Sequence, residues 1–211
     1  PYTTLFRSIF VFLDSLQTGI DFKNIWNPDP VHKGQLGNSF IAAGVAIGDY
    51  DKDGLQDVFL SRQQDGGKLY RNIGGLRFKD VTNKAGIISS GMWSTGVSFI
   101  DINNDGWLDL YVCGFDSHNR LYINEKGQFN ESAKEYGLDF KGASVSMAFS
   151  DFDLDGDIDA YLLTNRLHDT DSTMSVKTIK NKKDPYIIDP RYREIGYFIK
   201  RPDRNPLLVN A

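Results

Sequence analysis

The chain has 211 residues, with 28 acidic against 24 basic side chains, a formal net charge of −4, 13% aromatic residues and 20 glycines. This balance does not have the basic excess that nucleic-acid binding requires, so we expect no nucleic-acid partner. No apolar run approaches the roughly 18 residues of a membrane-spanning helix, and we expect that this segment does not cross a membrane. A single cysteine, Cys113, excludes an intramolecular disulfide.

The start of the chain divides into two short segments. Residues 1–8 (PYTTLFRS) look like the translation of a common sequencing adapter, and we exclude them from arguments about the fold. The apolar stretch that follows, Ile9–Leu13, is expected to form a strand. The predicted fold therefore starts at residue 9.

A nine-residue acidic loop occurs three times, and each copy reads D-x-[DN]-x-D-G-x-x-D. The copies are loop 1 (residues 49–57), loop 2 (101–109) and loop 3 (151–159), so they start 52 and then 50 residues apart. A repeat with a period of this length is typical of a modular architecture such as a propeller.

Short apolar stretches flank each loop. They are rich in β-branched and aromatic residues and too short for helices, so they are predicted to be strands, and each loop is the turn of a β-hairpin. The stretches before the loops are residues 44–48, 96–100 and 146–150, and those after them are 57–61, 109–113 and 159–163.

Further matches follow the first two loops in register. Lys68–Asn72 corresponds to Arg120–Asn124 through a shared L-Y-x-N pattern, and residues 76–80 correspond to 127–131. Each unit therefore holds about four short strands, which is the composition of one blade of a β-propeller. The predicted fold class is all-β, with about three four-stranded blades present.

The loops favour a hard cation, because alternating carboxylates on a tightly turning backbone bring several oxygen ligands together. An EF-hand is the main alternative, but it requires flanking helices and a bidentate Glu at position twelve. Position twelve is Leu60, Val112 or Leu162 here, and the flanks are strands. We therefore reject the EF-hand. An acidic turn without an ion remains a second alternative, since Asp, Asn and Gly also form ordinary turns.

The spacing predicts which oxygens would bind calcium. Positions one, three, five and nine offer side-chain oxygens, and the glycine at position six lets the backbone turn the carbonyl of position seven inward. Four or five carboxylates within nine residues, as in loops 1 and 3, would repel one another strongly without a cation. The predicted ligands are Asp49, Asp51, Asp53, Leu55 and Asp57 in loop 1, Asp101, Asn103, Asp105, Trp107 and Asp109 in loop 2, and Asp151, Asp153, Asp155, Asp157 and Asp159 in loop 3.

These motifs resemble the FG-GAP/VCBS repeat, in the version found in cartilage acidic protein-like bacterial proteins that carry an ASPIC/UnbV segment. The resemblance covers residues 19–165 and implies a seven-bladed propeller related to the head of integrin α-subunits, with calcium in the inter-strand loops. Two departures stand out: residues 166–211 hold no fourth acidic loop, and the chain holds no ASPIC/UnbV segment.

The domain organisation follows from this resemblance. Residues 9–165 are predicted to be propeller blades, and residues 166–211 a polar insertion followed by the start of a further blade. Seven blades at this period need roughly 350 residues, so we expect the chain to be an N-terminal fragment of a longer protein.

Catalytic signatures are missing from the sequence. His32, His118 and His168 are scattered and lie in no nucleophile or metal motif, so we expect no enzyme and no catalytic or cofactor-binding residue apart from calcium ligands. The predicted function is a calcium-binding module for adhesion or recognition of a protein or glycan, secreted, periplasmic or on the cell surface. The alternative is a propeller enzyme, a polysaccharide lyase or hydrolase, with structural calcium.

Overall fold

The computed structural model describes residues 11–24, 43–88, 90–152, 154 and 156–164, together with the backbone of residues 196–199. The described residues form one short helix, α1 (Ser15–Thr18), and antiparallel strands. The strands are β1 (Val45–Gly48), β2 (Asp57–Ser61), β3 (Gly67–Asn72), β4 (Phe78–Asp80), β5 (Ser94–Ile100), β6 (Asp109–His118), β7 (Arg120–Glu125), β8 (Gln128–Glu131), β9 (Lys141–Ser150), β10 (Asp159–Thr164) and β11 (Gly196–Ile199).

The first blade is the four-stranded sheet β1-β2-β3-β4, in which each strand pairs with the next one along the chain. Loop 1 closes the β1–β2 hairpin, where Gly48 lies opposite Asp57. Alternate residues of β2 are buried, as expected for a strand with one face against the core. Phe59 and Leu69 are fully buried in that core.

The second blade repeats this arrangement with β5, β6, β7 and β8. Loop 2 closes the β5–β6 hairpin, with Ile100 opposite Asp109. The core of this blade holds Tyr111 and Leu121, and Cys113 beside them is also fully buried. The all-β class and the four-stranded unit predicted from the repeats are therefore confirmed.

The third blade begins with β9 and β10, joined by loop 3 where Ser150 lies opposite Asp159. The strand β11 then pairs with β10. The C-terminal part of β6 pairs with β9, so the second and third blades share one sheet. Side chains add to this junction, because the Thr95 hydroxyl donates to the Ser144 carbonyl at 2.7 Å and the Ser98 hydroxyl to the Met147 carbonyl at 3.1 Å.

The segment before the first blade differs from its prediction. Residues 11–13, the described part of the expected strand Ile9–Leu13, are not in a strand, and Phe12 is 90% exposed. The helix α1 follows, closed by a capping box between Asp14 and Gln17. Hydrogen bonds between Asp14 and Gln17 satisfy backbone amides locally in this helical turn, which directly follows the residues expected to form a strand. Across the described ranges no helix is long and apolar enough to span a bilayer.

The next residues of this segment fasten it to the first blade. The Tyr70 hydroxyl donates to the Asp21 carboxylate at 2.8 Å, and the Asn24 side chain accepts the Gln63 backbone amide at 3.1 Å. Residues 21 and 24, in the first part of the stretch that the family resemblance covers, are thus bonded to β3 and to the turn before it.

Candidate metal centre

The backbone of loop 1 folds around the carboxylate at position one. Asp49 accepts the amide of Asp53 at 3.1 Å and that of Gly54 at 2.8 Å. Gly54 has a φ of 86°, in the left-handed region that favours glycine. The Asp49 carboxylate thus holds residues 49–54 in a tight turn.

Loop 2 and the described residues of loop 3 share this conformation. Asp101 accepts the Gly106 amide at 2.7 Å, and Asp151 accepts the Gly156 amide at 2.9 Å. Position four is left-handed in every copy, although none of the three residues is glycine. Their φ values are 58° for Lys52, 58° for Asn104 and 60° for Leu154.

The carboxylate at position nine is buried beneath each loop. Asp57 is fully buried and accepts the Tyr50 amide at 3.2 Å and the Asn72 amide at 2.7 Å. Asp109 is held in the same way, by the Ile102 amide at 3.0 Å and the Asn124 amide at 2.7 Å. This residue therefore joins three chain segments: the loop, the second strand and the third strand.

Burial changes the acidity of these two side chains. It raises the pKa of Asp57 to about 6 and that of Asp109 to about 6, because the charged form is poorly solvated there. The backbone amides lower the pKa, and neighbouring loop carboxylates raise it further. Such a buried acidic group favours either a proton or a nearby cation.

Three predicted ligands of loop 1 lie together. One oxygen each from Asp49, Asp51 and Asp57 lies within 4.8 Å of the others, and within the described residues this is the only such group of three acidic, His or Cys side chains. The Asp51 Oδ1 atom is buried without a hydrogen-bond partner. An all-oxygen donor set with an unsatisfied buried carboxylate oxygen fits a hard divalent cation such as calcium.

The acid at position five is directed elsewhere. Asp53 Oδ1 accepts the Leu55 amide at 2.8 Å, and Asp53 Oδ2 accepts from Arg71 at 2.8 Å. Asp105 accepts the Trp107 amide at 2.7 Å and the Asn103 side-chain amide at 2.9 Å. Each carboxylate oxygen keeps a second lone pair, so these bonds leave room for a cation.

Some predicted ligands stay predictions. In loop 3, Asp153 and Asp155 lie outside the described residues, while Asp159 accepts the Phe152 amide at 3.0 Å. The carbonyl ligands proposed at position seven, Leu55, Trp107 and Asp157, likewise remain predictions.

Two kinds of residue at this site were not predicted. The asparagines at the C-terminal ends of β3 and β7, the last residue of β3 and the last but one of β7, donate their side-chain amides to the position-eight carbonyls, from Asn72 to Gln56 at 3.0 Å and from Asn124 to Leu108 at 2.9 Å. The repeated L-Y-x-N pattern was the signal for them. The second kind is Arg71, which donates to the loop 1 carboxylates. Its position directly before Asn72 in the sequence was the feature that could have indicated it.

The loops also contact one another along one rim of the blades. The Asn124 side chain donates to the Tyr50 carbonyl at 2.8 Å, and the Lys52 ammonium lies 4.3 Å from the centre of the Trp107 ring. The Asn104 side chain donates to the Gly156 carbonyl at 3.4 Å. Loop 1 is thus connected to loop 2, and loop 2 to loop 3.

Comparison with known proteins agrees with this architecture. The FG-GAP-like repeat matches residues 49–112 and again residues 101–162, which together span more than half of the chain. Cartilage acidic protein 1 of Xenopus tropicalis is 24% identical over 125 residues, covering 56% of this chain and 19% of that protein. Cartilage acidic protein 1 of Mus musculus and that of Homo sapiens are each 28% identical over 80 residues, covering 38% of this chain and 12% of each protein. The chain therefore spans about a fifth or less of the length of these relatives.

Proposed function

Because the chain belongs to the FG-GAP-like repeat family, we propose that it is a calcium-binding propeller segment that serves as an extracytoplasmic binding or adhesion module. The observation that carries this proposal is the group of carboxylate oxygens of Asp49, Asp51 and Asp57, with its unpartnered buried Asp51 Oδ1. In loop 2, Asp101, Asn103 and Asp109 occupy the same positions of the same loop conformation.

Calcium would act on the fold through charge. Each ion neutralises several carboxylates that the hairpin brings close together, and this stabilises the turn that holds two strands of a blade. Since Asp57 and Asp109 each also bind the third strand through a backbone amide, an ion beside them would stabilise three strands of the blade.

The expected affinity suits a calcium-rich compartment. Extracellular calcium modules bind with dissociation constants of about 10⁻⁴ to 10⁻³ M. At about 1 mM calcium, such a site stabilises the folded state by roughly 1 kcal/mol. Several sites together decide whether a marginally stable protein stays folded. We therefore propose a secreted, periplasmic or cell-surface location.

A binding role is favoured over a catalytic one by the state of the loop carboxylates. Those of Asp49, Asp57, Asp101 and Asp109 are held by backbone amides and are needed for the loop conformation. A general acid or base must instead be free to exchange a proton with substrate. The proposed partner is a protein or a glycan bound by loops at the rim of the propeller.

Calorimetric titration of the metal-free protein with calcium tests this proposal. We expect about one ion per acidic loop and a melting temperature that falls when calcium is replaced by a chelator. The combined variant Asp53→Ala, Asp105→Ala and Asp155→Ala removes a predicted ligand from every loop. Asp53 and Asp105 each hold only one backbone amide, so we expect the loops to keep their turns while calcium uptake is lost.

A second variant controls for net charge. It removes three acids outside the loops, and its calcium uptake should equal that of the unmodified protein. Absence of calcium uptake by the unmodified protein, or equal loss in both variants, would refute calcium binding by the loops. The control substitutions are Asp116→Asn, Glu135→Gln and Asp139→Asn.

A further inference from the structure

A positive side chain from the neighbouring strand β3 contacts the carboxylates of loop 1. Arg71, on β3, donates from Nε to Asp51 Oδ2 and from its terminal nitrogen to Asp53 Oδ2, the second bond at 2.8 Å. The Asp51 and Asp53 side chains are only 18% and 24% exposed, and that of Arg71 is 39% exposed. The guanidinium therefore bridges two carboxylates at the predicted positions three and five.

Loop 2 has no counterpart of the Arg71 guanidinium; the Lys52 ammonium, which reaches this loop, lies over the Trp107 ring at 4.3 Å from its centre. The residue that corresponds to Arg71 is Ile123, because each directly precedes the asparagine that donates its backbone amide to the position-nine carboxylate. Ile123 is 8% exposed and packs in the core of the second blade. Position three also differs, since loop 2 has the neutral Asn103 where loop 1 has Asp51. The extra carboxylate of loop 1 thus coincides with the extra cation.

In loop 2, the neutral Asn103 makes the hydrogen bond to the position-five carboxylate that Arg71 makes in loop 1. Its side-chain amide donates to Asp105 Oδ2 at 2.9 Å, which is the oxygen that corresponds to the Arg71 acceptor on Asp53. In loop 2 this hydrogen bond brings no positive charge to the site. A divalent cation entering loop 2 meets no guanidinium, whereas one entering loop 1 is repelled by Arg71.

We propose that Arg71 is a resident counter-cation of loop 1, which competes with calcium for the carboxylates of Asp51 and Asp53. This inference rests on the calcium binding proposed above. Arg71 stabilises loop 1 when calcium is scarce, and it lowers the calcium affinity of loop 1. Loop 2 lacks this guanidinium, so its carboxylates at positions one, five and nine rely more on the ion for neutralisation than those of loop 1. The two loops are accordingly different calcium sites despite their shared conformation.

The variant Arg71→Ile tests this inference by giving β3 the residue that β7 carries. In calorimetric titrations with calcium chloride, we expect one site to bind calcium about three- to tenfold more tightly than in the unmodified protein, the others being unchanged. The melting temperature should fall in chelator, and the rise on adding calcium should be larger than in the unmodified protein. Adding Asp49→Ala should abolish the tightened site and thereby assign it to loop 1.

The control is Arg77→Ile, the same chemical change at an exposed arginine in the turn before β4. It should leave all calcium affinities unchanged. Arg71→Gln removes the charge but keeps a polar side chain, and it replaces Arg71→Ile if that variant does not fold. A tightened site in Arg71→Gln supports the inference equally.

The titrations distinguish a failure of the Arg71 inference from a failure of calcium binding itself. If the unmodified protein binds calcium and both Arg71 variants bind it with unchanged or weaker affinity at every site, the role of Arg71 is refuted while calcium binding stands. If neither the unmodified protein nor any variant takes up calcium, the proposed function and this inference are both refuted.

Discussion

Replacement of Asn124 by alanine measures how strongly neighbouring blades depend on each other. Asn124 and Asn72 have the same place in their blades, and the side-chain oxygen of each accepts a glycine amide, from Gly127 at 2.7 Å and from Gly74 at 2.9 Å. Each also donates to the position-eight carbonyl of its own loop. Within the part of the chain that the structure describes, only Asn124 makes a further bond, to the Tyr50 carbonyl of the preceding loop. Asn72→Ala is therefore a matched control.

The magnitude follows from the number of bonds lost. A buried hydrogen bond contributes about 1 kcal/mol net. Asn72→Ala removes two side-chain bonds and should lower the free energy of unfolding by about 2 kcal/mol. Asn124→Ala removes three and should cost about 3 kcal/mol. For a protein of this size, about 1 kcal/mol corresponds to roughly 2–4 °C in melting temperature.

Chemical denaturation followed by circular dichroism, at fixed calcium concentration, gives both values. We expect Asn124→Ala to be the more destabilised by about 1 kcal/mol, with unchanged denaturant slope. Equal destabilisation of the two variants, or a larger effect of Asn72→Ala, would refute the idea that the Tyr50 carbonyl bond connects the two blades.

Two further predictions concern the loops. In metal-free buffer the free energy of unfolding should fall as pH rises from about 4 to about 6. The reason is that the pKa of Asp57 and of Asp109 is raised to about 6 in the folded state, which therefore holds protons that the unfolded state has released. Urea denaturation at a series of pH values measures the free energy of unfolding, and a rise of that free energy between about pH 4 and about pH 6 would contradict the prediction. Leu154→Asn should stabilise the protein by about 1 kcal/mol in thermal unfolding, because Leu154 is 87% exposed at a φ of 60°, where asparagine is better tolerated than leucine. A lower melting temperature of this variant would show instead that the leucine side chain has a packing role.

The hairpins were predictable because the residues that determine each turn lie within the loop itself. The position-one Asp and position-six Gly are local requirements of the turn, and the flanking apolar stretches are the strands that it connects. Internal repetition strengthened the prediction, since three copies with the same spacing do not arise from unrelated turns. The same local pattern is present at α1, where Asp14, Gln17 and Gly19 are the residues of a capped helical turn.

Contacts between repeats were not predictable from spacing. Asn124 and Tyr50 are 74 residues apart, and the contact depends on how one blade is placed beside the next. The position of Lys52 over Trp107 has the same origin. The bridge from Arg71 to Asp51 and Asp53 required the β2–β3 register, which places a strand side chain beside the preceding loop. The sequence shows only that Arg71 and Asp51 in the first repeat replace Ile123 and Asn103 in the second, which indicates an added pair of opposite charges near loop 1.

The most direct test of the account is a crystal structure of the protein grown in millimolar calcium. The account predicts one ion in each acidic loop, with oxygen ligands at about 2.3–2.6 Å from positions one, three, five and nine and from the carbonyl of position seven. The account would be contradicted if, in crystals grown in millimolar calcium, the loops held only water and their carboxylates were bound to backbone amides alone. They would then be acidic turns that shape the blades without a metal.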